Sequence, residues 1–336
     1  MKKIILFLLV VFFSLSGLVS EAWTLSEVKL GRKLAKEVEK EFPLSKDPIE
    51  ISRVEAVGYA LARFSFRKDI SYHFRVIAKK DINAFSLPGG YIYVFRGMLK
   101  FVRTDSELAA VLAHEIAHIE YKHALKQMAN AQRMTIYALI IAAATRTGAG
   151  IMGADLLRLA ILNKYSRKYE EEADCRSIKL MMKAGYNPVA ALTLMERLCA
   201  FSERKPPRDY GIMMDHPTLM ERAKYILKEL KSLGVEINRR KAANYLPVSV
   251  GENRLDVYVG KTLLFSASSP SKAKEFAQNL DKALRVDLEP FQISVSGDSL
   301  FISGKFVFQG KREEVESVRE KLVKILLDFK VKYMPF

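Results

Sequence analysis

His114, Glu115 and His118 form the pattern H-E-x-x-H within Val111-Leu112-Ala113-His114-Glu115-Ile116-Ala117-His118, an apolar, Ala/Leu-rich run that reads as helix. Four residues of helix make just over one turn, so His114 and His118 share a face. Two imidazoles stacked this way can grip one Zn²⁺ at roughly 2.0–2.1 Å each. Glu115 is rotated by about 100° from His114 and flanks the metal. A carboxylate there takes a proton from metal-bound water, which the metal makes easier to ionise. The pattern is loose, and unrelated helices carry it. Here it uses two of the chain's five histidines. Small apolar neighbours would also bury its polar side chains, which then need a purpose.

A zinc hydrolase keeps three protein ligands and one open position. His123 lies nine residues past His114, about 180° round a continuous helix, and so reads as a surface or packing histidine. The longer motif H-E-x-x-H-x-x-G-x-x-H is excluded, because Tyr121 and Ala124 stand where it needs Gly and His. The stretch Ser166 to Asp174 offers more: Glu170 and Asp174 are one turn apart on an expected helix. A carboxylate ligand followed at i+4 by a carboxylate that orients a ligand imidazole is a sensible pair. Alone, the same residues read as an acidic helix start. Beside H-E-x-x-H they read as the third ligand and its support.

Asn83-Ala84-Phe85-Ser86-Leu87-Pro88-Gly89-Gly90-Tyr91-Ile92-Tyr93-Val94, Glu107 to His118, Tyr165 to Asp174, Ala184-Gly185-Tyr186-Asn187-Pro188 and His216-Pro217 occur in a definite order. In that order and spacing the chain resembles, over roughly residues 25–230, the zinc metalloproteases that include the CAAX prenyl protease, HtpX-like heat-shock proteases and BepA-like periplasmic proteases. The resemblance implies one zinc per chain, with His114, His118 and Glu170 as ligands, Glu115 as base and Asp174 behind a ligand imidazole. It also brings His216 near the metal's open side, to ligate zinc in a resting state or to stabilise an oxyanion. The other reading of His216 is a helix-start residue. Arg222 is expected to help orient that segment. In proteases of this plan an edge strand beside the motif helix binds substrate by strand addition.

The elements that must position these groups can be followed along the chain. Residues 1–22 read as a secretory signal, with Lys2 and Lys3 before an apolar core and Ser20-Glu21-Ala22 as the cleavage site. An uncleaved anchor is the rival. Thr24-Leu25-Ser26-Glu27 is a capping box for a helix to about Glu41, and a second helix covers about Ile49 to Ala62. Alternation predicts strands over Ser71 to Ala78 and Tyr91 to Phe95, with a turn at Leu87 to Gly90. Thr104-Asp105-Ser106-Glu107 caps the motif helix, expected to continue through Lys122 to Met128. Met134 to Ala144 is apolar but too short to span a bilayer, so it is a buried helix or a surface that touches lipid. Thr145 to Gly153, with three glycines, reads as a lid. Helices over about Lys168 to Lys183 and on to Phe201 form a hairpin around Gly185. Cys175 and Cys199 sit at similar heights on it and are either bridged or free.

The helix ending near Leu233-Gly234 and the basic run Asn238-Arg239-Arg240-Lys241 mark a boundary. The chain then reads as a signal (1–22), a mainly helical zincin-type protease domain with a small sheet (23–240), and a small α+β domain (241–336) of order β-α-β-β-α. The last domain has no His and no Cys, and its expected role is to bind a substrate or partner, or to cover the protease domain.

A net charge of +16 suits anionic surfaces such as lipid headgroups, or the charged surface of a heat-adapted protein. No nucleic-acid motif is present. The whole reads as an exported zinc metalloendopeptidase, periplasmic or envelope-associated. By resemblance its substrates are unfolded or misassembled envelope proteins. The alternative is a folding or assembly factor that keeps the zinc site but works mainly by binding.

Overall fold

Asp47 precedes Pro48 and an apolar run at helical spacing, and its carboxylate accepts the Ile49 amide to start a helix. That junction belongs to the first of two compact units, Met1–Leu233 and Gly234–Phe336, in a computed structural model that describes residues 27–127, 165–203 and 219–333. The expected signal, residues 24–26 of the first capping box, the apolar segment 134–144, the stretch 145–153 and His216 lie outside the described residues.

Helix α1 covers residues 27–41 and α2 spans Pro48–Ala62. Glu27 points its carboxylate at Arg67, 3.0 Å away, and both side chains are buried. Strands β1 (His73–Ile77), β2 (Ala84–Leu87) and β3 (Tyr91–Phe95) form a sheet of order β1-β3-β2. β1 runs parallel to β3 and β2 antiparallel to it. Sequence alternation misses β2, because all four of its residues are buried and no polar face marks its period. The turn at Pro88–Gly90 holds Gly89 and Gly90 at φ 76° and 96°. A Cβ at Gly90 would meet the Ser71 carbonyl oxygen at 2.0 Å, so this turn requires glycine. α1 closes one face of the sheet with Leu34, Ala35 and Val38 against Ile77, Phe85, Tyr93 and Phe95.

After α3 (Arg96–Phe101), α4 (Asp105–Glu120) carries the H-E-x-x-H pattern. Every residue of α4 from Glu107 to Glu120 is buried. A helix buried all round is the axis of its unit. Ala109, Ala110, Ala113 and Ala117 are the small side chains that let neighbours approach. Its polar ends are matched: Glu107 accepts from Thr193 and Arg197, and Glu120 from Arg176 at 2.6 Å. The helix does not continue to Met128. It ends at Glu120, and Lys122 adopts a left-handed conformation, φ 55°, before a helical turn at residues 123–127. Local propensity gives no sign of this break.

Helices α5 (Arg167–Lys183) and α6 (Val189–Glu203) make the expected hairpin. Gly185 closes α5 at φ 79°, with the Tyr186 amide bonded to Met181 O and the Gly185 amide to Met182 O. Cys175 and Cys199 are half-buried and form no disulfide with each other. α7 (Leu219–Ser232) completes the unit's described part. No described helix of the chain is long and apolar enough to cross a membrane.

The second unit is α+β, a three-stranded sheet and a helix repeated twice. It begins with α8 (Arg239–Ala242). Then come β4 (Val248–Val250), β5 (Asp256–Val259), β6 (Thr262–Ser266) and α9 (Pro270–Ala283). The second set is β7 (Ile293–Ser296), β8 (Ser299–Ile302), β9 (Lys305–Gln309) and α10 (Arg312–Tyr333). The order is thus fuller than β-α-β-β-α. β4 is three residues long, and Ser303-Gly304, both at positive φ, folds the apolar run after Leu300 into two strands. Each helix reaches the other set's edge strand. Asn279 donates to Val307 O at 3.3 Å, and Lys321 to Leu264 O at 3.2 Å.

Candidate metal centre

One turn of α4 brings His114 Nε2 and His118 Nε2 to 3.0 Å from each other. Glu170, in the first turn of α5, lies across from them. Its Oε2 is 3.4 Å from His114 Nε2 and its Oε1 is 3.6 Å from His118 Nε2. All three residues are buried, and their donor atoms lie within 4.8 Å of one another, a grouping that could hold a metal ion. Two imidazole nitrogens and a carboxylate oxygen are the donor chemistry of a hydrolytic zinc site with one position left open, so the residues present fit such an ion.

Behind His114 stands Asp174, one turn on from Glu170, with Oδ1 2.8 Å from His114 Nδ1. That contact fixes the proton on Nδ1 and turns the Nε2 lone pair toward the cluster. Asp174 is itself held by Arg222 of α7, which donates to it from Nε at 2.9 Å and Nη2 at 2.8 Å. Arg222 also places Nη1 3.2 Å from Glu170 Oε2, and it is 1% exposed. The sequence suggests that Arg222 helps orient the segment around His216, which lies outside the described residues. In the structure Arg222 stands against both carboxylates, a role set by long-range packing that no local pattern carries.

Glu115 is buried beside the cluster and accepts a 2.8 Å hydrogen bond from Ser86 of β2. Burial pushes its carboxyl above the usual range. For Glu170, burial works in the same direction, but Arg222 and then His114 outweigh it and hold its carboxyl well below that range. Asp174 is lowered in the same way, burial again opposed by Arg222 and His114. Burial would depress both histidines. It keeps His118 well below the usual value, helped by His114, whereas Asp174 reverses the effect at His114 and lifts it to about 9. An imidazolium at His114 can therefore donate both ways, to Asp174 and to His118 Nε2, in the metal-free protein.

His123 corrects the reading of it as facing away. The left-handed Lys122 breaks the helical register, and His123 is fully buried, with its Nδ1 2.8 Å from His118 Nδ1. Tyr165, which opens one of the stretches that carry the resemblance but has no role assigned from sequence, stacks its ring on His118 with centroids 4.0 Å apart. The fifth histidine, His73, lies on β1 and stacks on Tyr91.

A fully buried helix bearing H-E-x-x-H, a carboxylate across from it and a small sheet at its flank make a mainly helical zincin-type fold. The chain belongs to peptidase family M48, whose model matches residues 48–230. It is similar to the mitochondrial metalloendopeptidase OMA1 of Schizosaccharomyces pombe, 35% identical over 158 residues that cover 47% of this chain and 46% of that protein. The beta-barrel assembly-enhancing protease of Escherichia coli is 26% identical over 212 residues, 57% of this chain and 41% of that one. The metalloprotease LoiP of Escherichia coli is 28% identical over 191 residues, 55% of this chain and 72% of that one. The match thus spans less than half the length of the first two relatives.

Proposed function

We propose that the chain is an exported zinc-dependent endopeptidase that cleaves unfolded or misassembled envelope proteins. The observation that carries the reading is the buried trio His114, His118 and Glu170 beside Glu115. A zinc ion held there would polarise a scissile carbonyl and make a water easier to ionise. Glu115 accepts the water's proton on the carboxylate oxygen that Ser86 does not bond, and passes it to the leaving amine. Ser86 keeps that carboxylate aimed. Among the described residues β2 pairs with β3 alone, and its other edge is the proposed place for an extended substrate to add as a strand. His216 is the proposed oxyanion group on the open side. Family membership and relatives named metalloendopeptidase and beta-barrel assembly-enhancing protease support the substrate class. Signal-like residues 1–22 support export. The net charge of +16 suits an anionic membrane surface.

The test is cleavage of casein by purified protein, with zinc quantified in the same samples. The wild type holds one zinc per chain and cuts, and Glu170→Ala loses both; cleavage without bound metal would end the reading. Affinity also carries a pH signature. His114, raised to about 9 by Asp174 against the effect of its burial, must give up a proton for Nε2 to bind metal. Zinc affinity therefore rises about tenfold per pH unit below that value and levels off above it. A flat profile between pH 6 and 8 in chelator competition would contradict this assignment.

A second reading, an assembly factor that works by binding, is favoured by one feature of the C-terminal unit. A cavity of about 790 Å³ opens between β6, α9 and β9, lined by Phe265, Phe276, Phe306 and Phe308 among others. We assign residues 241–336 to capturing polypeptide there. Phe306, 48% exposed, should matter for long substrates only. Phe306→Ala is expected to raise KM for casein severalfold and leave cleavage of a short peptide unchanged. Equal losses on both would remove the capture role.

A further inference from the structure

We infer that His123 and Glu172 are positioning residues that select the metal-binding tautomer of His118. The inference rests on the reading of His118 as a ligand and concerns how that ligand is held. His123 is fully buried, its ring stacked on Tyr169 with centroids 4.3 Å apart and planes within 11°. Tyr121 stacks on it at 5.5 Å. The ring is fixed in plane with each nitrogen assigned a partner: Nδ1 lies 2.8 Å from His118 Nδ1 and Nε2 lies 3.1 Å from Glu172 Oε2.

With both rings neutral, counting protons along this line leaves one arrangement that frees His118 Nε2 for a metal. Two Nδ1 atoms at 2.8 Å share a single hydrogen. For His118 Nε2 to offer its lone pair to a metal, the neutral ring must carry its proton on Nδ1 and donate it to His123. His123 then accepts at Nδ1, so its own proton sits on Nε2, facing the Glu172 carboxylate. In the reverse arrangement His118 would carry its proton on Nε2, where the metal should be, and Glu172 would face a lone pair. Glu172 thus penalises the non-binding tautomer from two rings away. The two ligand imidazoles are set differently. His114 meets a buried carboxylate directly, and His118 meets one at the protein surface through a second imidazole, the Glu172 side chain being 36% exposed. Support of this kind typically contributes about 10–100-fold to metal affinity.

The test is zinc affinity of the full chain by chelator competition. Glu172→Ala and His123→Leu are each expected to weaken zinc by about 10–100-fold. The double variant should be no weaker than His123→Leu, because Glu172 acts through His123. His123→Asn should recover part of the loss, since its carboxamide oxygen accepts near the place of Nδ1. ¹⁵N NMR of the zinc-bound wild type should show His118 protonated at Nδ1 and His123 at Nε2. Wild-type affinity in Glu172→Ala, or His123 protonated at Nδ1, overturns the inference while leaving the zinc site standing. A wild type that binds no zinc overturns both. If His123→Leu does not fold, Glu172→Ala and the NMR decide alone.

Discussion

Glu115→Gln should stop peptide-bond cleavage while the chain keeps its zinc. The side chain is buried and its contact is with Ser86 at 2.8 Å, so a carboxamide of the same shape keeps that bond through its oxygen. Nothing in the trio His114, His118 and Glu170 loses a donor. What disappears is the basic oxygen that takes the proton, a contribution of about 10²–10⁴ in rate. Burial, which pushes the Glu115 carboxyl up, brings it toward neutral pH, where a base that must later act as an acid works best. The measurement is kcat on casein beside zinc content. A variant within tenfold of wild type would remove Glu115 from the chemistry. A variant that loses zinc would instead make Glu115 part of the metal's support.

The largest structural effect is expected at Arg222. Its guanidinium is fully buried and faces Asp174 twice and Glu170 once. Replacement by Met fills similar volume but leaves two carboxylates without their cation in the protein interior. Removing one member of a buried ion pair costs about 3–5 kcal/mol. Arg222→Met should lower the stability of the metal-free protein by about that much in urea unfolding. Zinc should restore part of it, since the ion supplies positive charge to Glu170. The double change Arg222→Met with Asp174→Leu should cost less than the two singles together, because each single change leaves the other partner buried. Strict additivity would contradict the account of Arg222 as the cation that keeps both carboxylates charged.

The parts of this protein that can be read from sequence are those set within one helical turn. His114 with His118, and Glu170 with Asp174, are each four apart, and helical spacing alone puts each pair on one face. The helix bounds at Pro48, Arg167 and Gly185 follow from cap and stop residues. What escapes is set by tertiary contact. Lys122 carries no side-chain signal for a left-handed backbone, so His123 was placed half a turn from where it lies. Arg222 reaches Asp174 from 48 residues away. β2 is buried on both faces and lacks alternation. In the C-terminal unit Leu300 to Phe308 reads as one strand, and the Ser303-Gly304 turn divides it into two.

The most direct test of the central claim is X-ray absorption at the zinc edge on the purified chain, with zinc stoichiometry from the same sample. The account predicts one zinc per chain with two imidazole nitrogens at about 2.0–2.1 Å, carboxylate oxygen in the same shell and no sulfur. A sulfur shell near 2.3 Å, which would bring in Cys175 or Cys199, or zinc binding unchanged in His114→Ala, would contradict it.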